Sequence, residues 1–449
     1  MELKNKKIGI WGFGKTGQSA LEHIAPLTKT ITVFENNQLS EEQTFLLNHH
    51  KARLVPTTCL EQFLELNDVI IPSPGVNLKP YQEFWGHKFI SELDIFAANI
   101  QKKTVAITGS VGKTTIVTLV TELLNRCGIR ACAAGNIGLP MLSVLREQHE
   151  FDVIVLELSS FQLEQSKTFA PTVAVITNLF PNHLDRHETM EEYIRAKALI
   201  FAYQALDTQC SPSGSVNTQH EQQQQSVHTT CVQNNLTIIP QAFLEAFIPC
   251  TRNQKLLWLA NDAYSENITP ELEKNTFAAN WNLIFAILEY FGIEPETVKT
   301  YCNDLKALEH RFEFVGTHAG IDFYNDSKAT ILESTLESIK KCSEKPVILF
   351  LGGLSKGVDR TELIRELPKN IKLVLCFGKE ADTLQGLCRT FNVASMSFTT
   401  LELAFKECMN QASAGDIVLF SPAGASYDLF KNYEERGQVF KKLVKTISG

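Results

Sequence analysis

Short, wholly apolar runs that each end in a glycine, a hydroxyl or an acid most limit what this chain can fold into. Val153-Ile-Val-Leu-Glu157, Val173-Ala-Val-Ile-Thr177, Val347-Ile-Leu-Phe-Leu-Gly-Gly353, Leu373-Val-Leu-Cys-Phe-Gly378 and Ile417-Val-Leu-Phe-Ser421 are separated by helical stretches. Continuous apolar strands alternating with helices imply parallel sheets covered on both faces. Strands of that kind present their loops at the carboxyl edge of the sheet, where ligands bind. The length of 449 residues suggests about three such domains. The expected fold is α/β with three α/β units in series.

Charge narrows the function classes. The 42 basic and 50 acidic side chains leave a net charge of −8. A general binder of nucleic acid or anionic membrane needs a concentrated basic surface, which this balance argues against. It leaves room for a local basic pocket that takes an anionic small molecule. The 11 cysteines form no CxxC pair and no zinc-spaced cluster, so they read as buried small hydrophobes in a reducing compartment. The N-terminus lacks the apolar core of a signal peptide, and no apolar run reaches about 18 residues. The expectation is an intracellular protein without membrane insertion.

Three segments carry chemistry. Gly109-Ser-Val-Gly-Lys-Thr-Thr115 lies between a buried strand and a helix pattern. Its glycines let backbone N–H groups curl around phosphate, with Lys113 as counter-charge and the Thr114 hydroxyl as a magnesium ligand. Glu157 ends one strand, and Asn178-Leu-Phe-Pro-Asn-His-Leu-Asp185 begins where the next ends, offering His183 as a ligand beside that loop. Near the N-terminus, Gly12-Phe-Gly-Lys-Thr-Gly17 follows a strand and opens a helix. That turn suits a dinucleotide, a plain strand–helix connection, or the diphosphate of a nucleotide-linked substrate. Downstream, Lys328 and Lys356 stand on loops after strands, where they can meet carboxylates or phosphate charge. Residues 208–235 are rich in Gln, Ser, Thr and His and read as a surface insertion.

In this order, these segments resemble the Mur ligases of peptidoglycan synthesis. Gly109–Thr115 is similar to the family's short ATP loop. Glu157-Leu-Ser-Ser-Phe-Gln-Leu163 and Asn182-His-Leu-Asp-Arg186 resemble its central signatures, and Tyr193-Ile-Arg-Ala-Lys197 resembles the segment whose lysine is carbamylated. Asn325–Thr330, Ser421–Ser426 and Phe430–Arg436 resemble the D-glutamate-adding member. The resemblance implies three domains: a Rossmann-like UDP-binding domain (1–97), a P-loop-type ATPase (98–307) and a Rossmann-like C-terminal domain (308–449). It implies an ATP- and Mg²⁺-dependent ligase, cytoplasmic and monomeric, joining D-glutamate to UDP-N-acetylmuramoyl-L-alanine through an acyl phosphate.

The resemblance also assigns residues. Lys113, Glu157, His183 and Lys197 would be catalytic. Gly109, Ser110, Val111, Gly112, Lys113, Thr114 and Thr115 would hold the ATP phosphates, with Asn280, Arg311 and Asp326 near adenine and ribose. Thr114 and Glu157 would bind one metal, His183 and carbamylated Lys197 a second. Lys15, Thr16, Glu35, Ser73, Gly75 and Asn77 would take the uridine diphosphate, and Asn136, Ser159, Gln162 and His183 the sugar and alanyl end. Thr330, Lys328, Lys356, Ser426, Tyr427 and Tyr433 would receive D-glutamate. Three positions depart from the family pattern: Asn182 for Asp, Phe277 in Thr276-Phe-Ala-Ala-Asn280, and Val111 for Asn. Two competing expectations are a related ligase for another amino acid and a non-catalytic sensor of UDP-muramyl precursors. An NAD oxidoreductase lacks any accompanying catalytic constellation.

Overall fold

The computed structural model describes residues 3–204, 235–250, 256–305, 308–342 and 345–447. The Gln-rich stretch expected at 208–235 lies outside the described residues, apart from its last position. Three sheets of four, six and six strands occur among the described residues. The chain divides into two compact units, Met1–Leu179 with Glu191–Asp304, and Phe180–Met190 with Leu305–Gly449. The first unit contains two of the sheets and the second unit the third.

The first sheet runs Arg53–Val55, Ile31–Phe34, Ile8–Trp11, Val69–Pro72, all parallel. The second sheet runs Leu256–Leu259, Leu236–Pro240, Val173–Ile176, Lys103–Thr108, Val153–Glu157, Ala131–Gly135, again all parallel. Its apolar strands fold this way because both faces are covered; every residue of Val153–Glu157 and Val173–Ile176 is buried. Burying one such Val, Leu or Ile contributes about 1.5–3 kcal/mol.

Two carboxylates join these sheets. Asp94, 2% exposed, accepts from the hydroxyls of Ser91 at 2.8 Å and Ser166 at 2.9 Å. It also accepts from the Lys167 and Thr168 amides and the Thr168 hydroxyl, each at 2.9 Å. Glu92 is buried as well; burial pushes its carboxyl up to about 7, although the amides of Leu142 and Met141 and the Thr16 hydroxyl donate to it.

In the second unit the strand order is Glu313–His318, Ile321–Asn325, Ile417–Phe420, Val347–Gly352, Ile371–Phe377, Ser395–Phe398. Only the pairing of Glu313–His318 with Ile321–Asn325 is antiparallel. Val347–Gly352 is buried at every residue, as its apolar run predicts. No helix of the described residues is long and apolar enough to cross a membrane.

Candidate active site

Four neighbouring strands of the second sheet end at one edge, and the candidate ATP-binding residues of the first unit gather there. The strand Lys103–Thr108 passes through Gly109–Gly112 into the helix Lys113–Arg126. Gly112 is the helix N-cap at φ 84°, and a Cβ there would stand 2.7 Å from the Asn280 Oδ1. Gly109, at φ 145°, would drive a Cβ into the Thr177 hydroxyl. No side chain caps this helix, so its N-terminal dipole faces the loop. Lys113 Nζ donates to the carbonyls of Gly109 at 2.8 Å and Ser110 at 3.0 Å. The loop thereby keeps its counter-charge folded against its own backbone.

Glu157 ends the adjacent strand, in register with Ile107. It is 2% exposed; its Oε1 accepts from Asn136 Nδ2 at 2.8 Å, while Oε2 has no hydrogen-bond partner among the described residues. A buried, half-satisfied carboxylate is the donor a hard divalent cation favours. The described residues contain no cluster of three or more His, Cys, Asp or Glu able to hold a metal.

Lys197 lies on the helix Met190–Ala202, 1% exposed, with Nζ donating to the Gly109 carbonyl at 2.8 Å and 4.3 Å from the centre of the Tyr193 ring. Burial, and then the nearby Lys113 charge, push this amine well below the usual lysine range. That shift makes the neutral amine, the form that reacts with carbon dioxide to give a carbamate, easier to reach than in an exposed lysine.

Sequence reasoning assigned no role to Asn178 and Thr177, which shape the loop. Asn178 Oδ1 accepts from the amides of Ser110 at 3.2 Å and Val111 at 2.9 Å, and its Nδ2 donates to the Val111 carbonyl. The Thr177 hydroxyl donates to that carbonyl at 2.6 Å. The available signal was their position just past the strand that pairs with Lys103–Thr108. Asn280 Nδ2 donates to Thr276 Oγ1 at 2.7 Å, which sets its Oδ1 against Gly112. Ser159 and Gln162 form a capping box on the helix Ser160–Glu164, each satisfying the other.

The candidate uridine-diphosphate residues meet at the carboxyl edge of the first sheet, where strand order reverses direction about Ile8–Trp11. Gly14 is the N-cap of the helix Lys15–Ile24, again without a side-chain cap. Glu35 accepts from the Phe13 amide at 2.6 Å and the Asn37 amide at 2.9 Å, so this acid braces the glycine turn. Beside it lies a recess of about 470 Å³ lined by Glu35, Asn36, Asn37, Leu54 and Thr57. Ser73 donates to the Gly12 carbonyl at 3.2 Å, while Gly75 and Asn77 are exposed in the following turn.

Within the second unit, three adjacent strands of the third sheet deliver the turns that contain Lys328 and Thr330, Lys356, and Ser426. Lys356 is held at φ 55°. Lys328 Nζ lies 3.6 Å from the centre of the Tyr433 ring. Ser426 is buried and Tyr427 is 70% exposed. Asp326 is buried and accepts from Ser338 Oγ at 2.6 Å and Ser421 Oγ at 2.8 Å; burial still pushes its carboxyl up to about 6. Arg311 is half-buried, and its charge acts on Asp326. His183 belongs to this unit as the N-cap of Leu184–His187, at φ 57°. Asn182 is buried with its Oδ1 unpartnered among the described residues.

Comparison with known proteins agrees with this architecture. Residues 107–235 match the Mur ligase middle domain, and residues 310–424 match the Mur ligase glutamate ligase domain. The chain is 34% identical to the UDP-N-acetylmuramoylalanine–D-glutamate ligase of Acidobacterium capsulatum, covering 99% of this chain and 97% of that one. It is 30% identical to the ligase of the same name from Caldanaerobacter subterraneus subsp. tengcongensis, over 99% of both chains. In fold it is similar to UDP-N-acetylmuramate–alanine ligase of Thermotoga maritima, with TM-score 0.56 at 13% identity over 98% of this chain and 100% of that one. A MurF ligase from the same organism, in complex with ADP, gives TM-score 0.55 at 15% identity over 99% and 96%. With matches to two of the family's domains and a relative at 34% identity over nearly its whole length, this chain belongs to the Mur ligase family.

Proposed function

We propose that this chain is the ADP-forming ligase that joins D-glutamate to UDP-N-acetylmuramoyl-L-alanine in peptidoglycan precursor synthesis. The observation that carries the reading is the cradle at Gly109–Thr115, with the unpartnered Glu157 Oε2 ending the adjacent strand. The full-length relatives of that name support the choice of amino acid.

A carboxylate is a poor electrophile, so the substrate's alanyl carboxylate oxygen attacks the γ-phosphorus of ATP, and ADP leaves. The D-glutamate amine then attacks the acyl carbon, loses its proton, and inorganic phosphate departs from the tetrahedral intermediate. Lys113, released from the Gly109 and Ser110 carbonyls, would turn to the transferred phosphoryl oxygens. Thr114 and Glu157 would hold one magnesium, and His183 with carbamylated Lys197 a second. When bound, magnesium screens the phosphate charge that would otherwise repel the attacking carboxylate. Asn280, Arg311 and Asp326 are assigned to adenine and ribose.

Lys15, Thr16, Glu35, Ser73, Gly75 and Asn77 are assigned to the uridine diphosphate, and Asn136, Ser159 and Gln162 to the sugar and alanyl end. Thr330, Lys328, Lys356, Ser426, Tyr427 and Tyr433 are assigned to D-glutamate. Residues 1–97, 98–307 and 308–449 would thus serve UDP substrate, ATP and amino acid in turn. We place the reaction in the cytoplasm, in keeping with the free cysteines among the described residues. Phosphate release measured with UDP-N-acetylmuramoyl-L-alanine, ATP and a panel of amino acids tests the proposal. Release specific to D-glutamate is expected; none with D-glutamate would overturn it.

A further inference from the structure

Arg360 is a buried cation that neither the sequence motifs nor the ligase reading uses. Its side chain is 3% exposed, and it follows the turn that contains Lys356. Nη2 donates to the Gly353 carbonyl at 2.6 Å and pairs with Glu380 Oε2 at 3.1 Å. The other oxygen of Glu380 accepts from the Ser355 amide at 3.1 Å and faces the Ser355 hydroxyl at 3.4 Å. One ion pair therefore grips the turn on both sides: the arginine at Gly353, the glutamate at the residue before Lys356.

The same turn is tied to the Ser421–Ser426 turn by a two-residue antiparallel bridge. Leu354 N–H donates to the Ala425 carbonyl at 2.8 Å, and Ala425 N–H donates back at 2.9 Å. Arg436, fully buried, donates from Nη1 to the Gly424 carbonyl at 2.8 Å on the far side of that bridge. The residues at both ends of the bridged segment, Lys356 and Ser426, are the ones assigned to the amino acid.

Stability alone does not account for Arg360. Its Nε and Nη1 have no hydrogen-bond partner among the described residues. A buried guanidinium so poorly satisfied stabilises no more than an apolar side chain of like volume. What an apolar side chain cannot do is hold the Gly353 carbonyl while fixing the carboxylate that holds Ser355.

We propose that Arg360 and Glu380 are positioning residues that clamp the Gly353–Lys356 turn, keeping Lys356 in its left-handed conformation to receive the carboxylate of the incoming amino acid. This rests on the assignment of Lys356 to the amino-acid site. The clamp sets affinity for the amino acid and leaves the ATP and UDP-substrate sites alone.

The test compares Arg360→Met, Arg360→Lys and Glu380→Ala in the full chain; Glu380 is 29% exposed, which makes the last the gentlest on folding. The Met and Ala variants are expected to raise the KM for D-glutamate ~10-fold or more, since loosening a group that binds ground and transition state alike raises KM and spares kcat. Their kcat should stay within about 3-fold, with KM for ATP and UDP substrate unchanged, and Arg360→Lys should recover part of the loss. A fall in kcat with all three KM values intact would mean lost active protein, and would overturn the clamp. Amide hydrogen exchange over residues 353–356, read without substrates, gives an independent outcome. Faster exchange in the variants supports the clamp; unchanged protection overturns it, whichever amino acid the enzyme uses. Absence of D-glutamate-dependent phosphate release in the unaltered protein would instead defeat the ligase reading.

Discussion

Replacing Glu157 by glutamine separates what that residue does for folding from what it does for chemistry. The new amide keeps the shape and an oxygen to accept from Asn136 Nδ2, as the Glu157 carboxylate does at 2.8 Å. Its NH₂ group takes the place of Oε2, which is buried and unpartnered. Leaving that donor unmet costs about 1–3 kcal/mol. Replacing a buried, half-satisfied carboxylate by a neutral group offsets a comparable amount. The two nearly cancel, so without nucleotide the variant should melt close to the unaltered protein, or slightly above it.

Turnover should respond differently. Loss of one anionic group from a preorganised phosphoryl-transfer site costs about 3–4 kcal/mol, or 10²–10³-fold in kcat. A coupled assay of ADP release with saturating substrates reads the second number, and thermal melting with and without magnesium and ATP reads the first. The stabilisation by magnesium and ATP expected of the unaltered protein should shrink in Glu157→Gln. Turnover within tenfold of the unaltered protein would refute the reasoning, because the orphaned oxygen would then serve no metal.

Four further outcomes are expected. Lys113→Ala should lower kcat by on the order of 10²–10³-fold with little change in melting, checked by the same ADP assay. Gly112→Ala forces a side chain into φ 84° against Asn280, so it should destabilise by about 1–2 kcal/mol and raise the KM for ATP, read by denaturant titration and kinetics. Glu92 titrates near 7 when folded and near 4.5 when unfolded, so it weakens the fold progressively as pH rises from about 4.5 to 7. The stability gained by Glu92→Gln should accordingly grow across that window, by up to on the order of 3 kcal/mol in urea titrations at each pH. Arg436→Met leaves the Ser327 and Gly424 carbonyls and the Ser327 hydroxyl without this donor, and should destabilise the second unit by about 1–3 kcal/mol, seen as an earlier transition in calorimetry.

Whatever depends on local pattern was legible in the sequence. The apolar runs became buried parallel strands, and the glycine–lysine segment became a loop between strand and helix, because burial on both faces and left-handed glycines leave marks in consecutive residues. What depends on strand order was not. Asn178 and Thr177 shape the Gly109–Gly112 loop only because Val173–Ile176 pairs with Lys103–Thr108, and no motif encodes that neighbour. Arg360 and Glu380 lie after different strands of the third sheet and look like ordinary surface charges when read along the chain. The antiparallel strand Glu313–His318 escaped because none of its residues is fully buried, so no apolar run announces it.

Asp94 has a bearing on how freely such a protein can be taken apart. A cut near residue 97, where sequence would divide the first two portions, falls inside the helix Glu92–Asn99 that holds it. The fragment on one side would carry away a desolvated carboxylate stripped of most of its donors. The fragment on the other would keep Ser166, Lys167 and Thr168 converging on nothing. The parts that carry the first and second sheets are therefore not interchangeable cassettes. A chimera that imports a foreign first sheet must bring its own match for the 166–168 turn, and lineages that exchanged one half alone would have had to rebuild that joint.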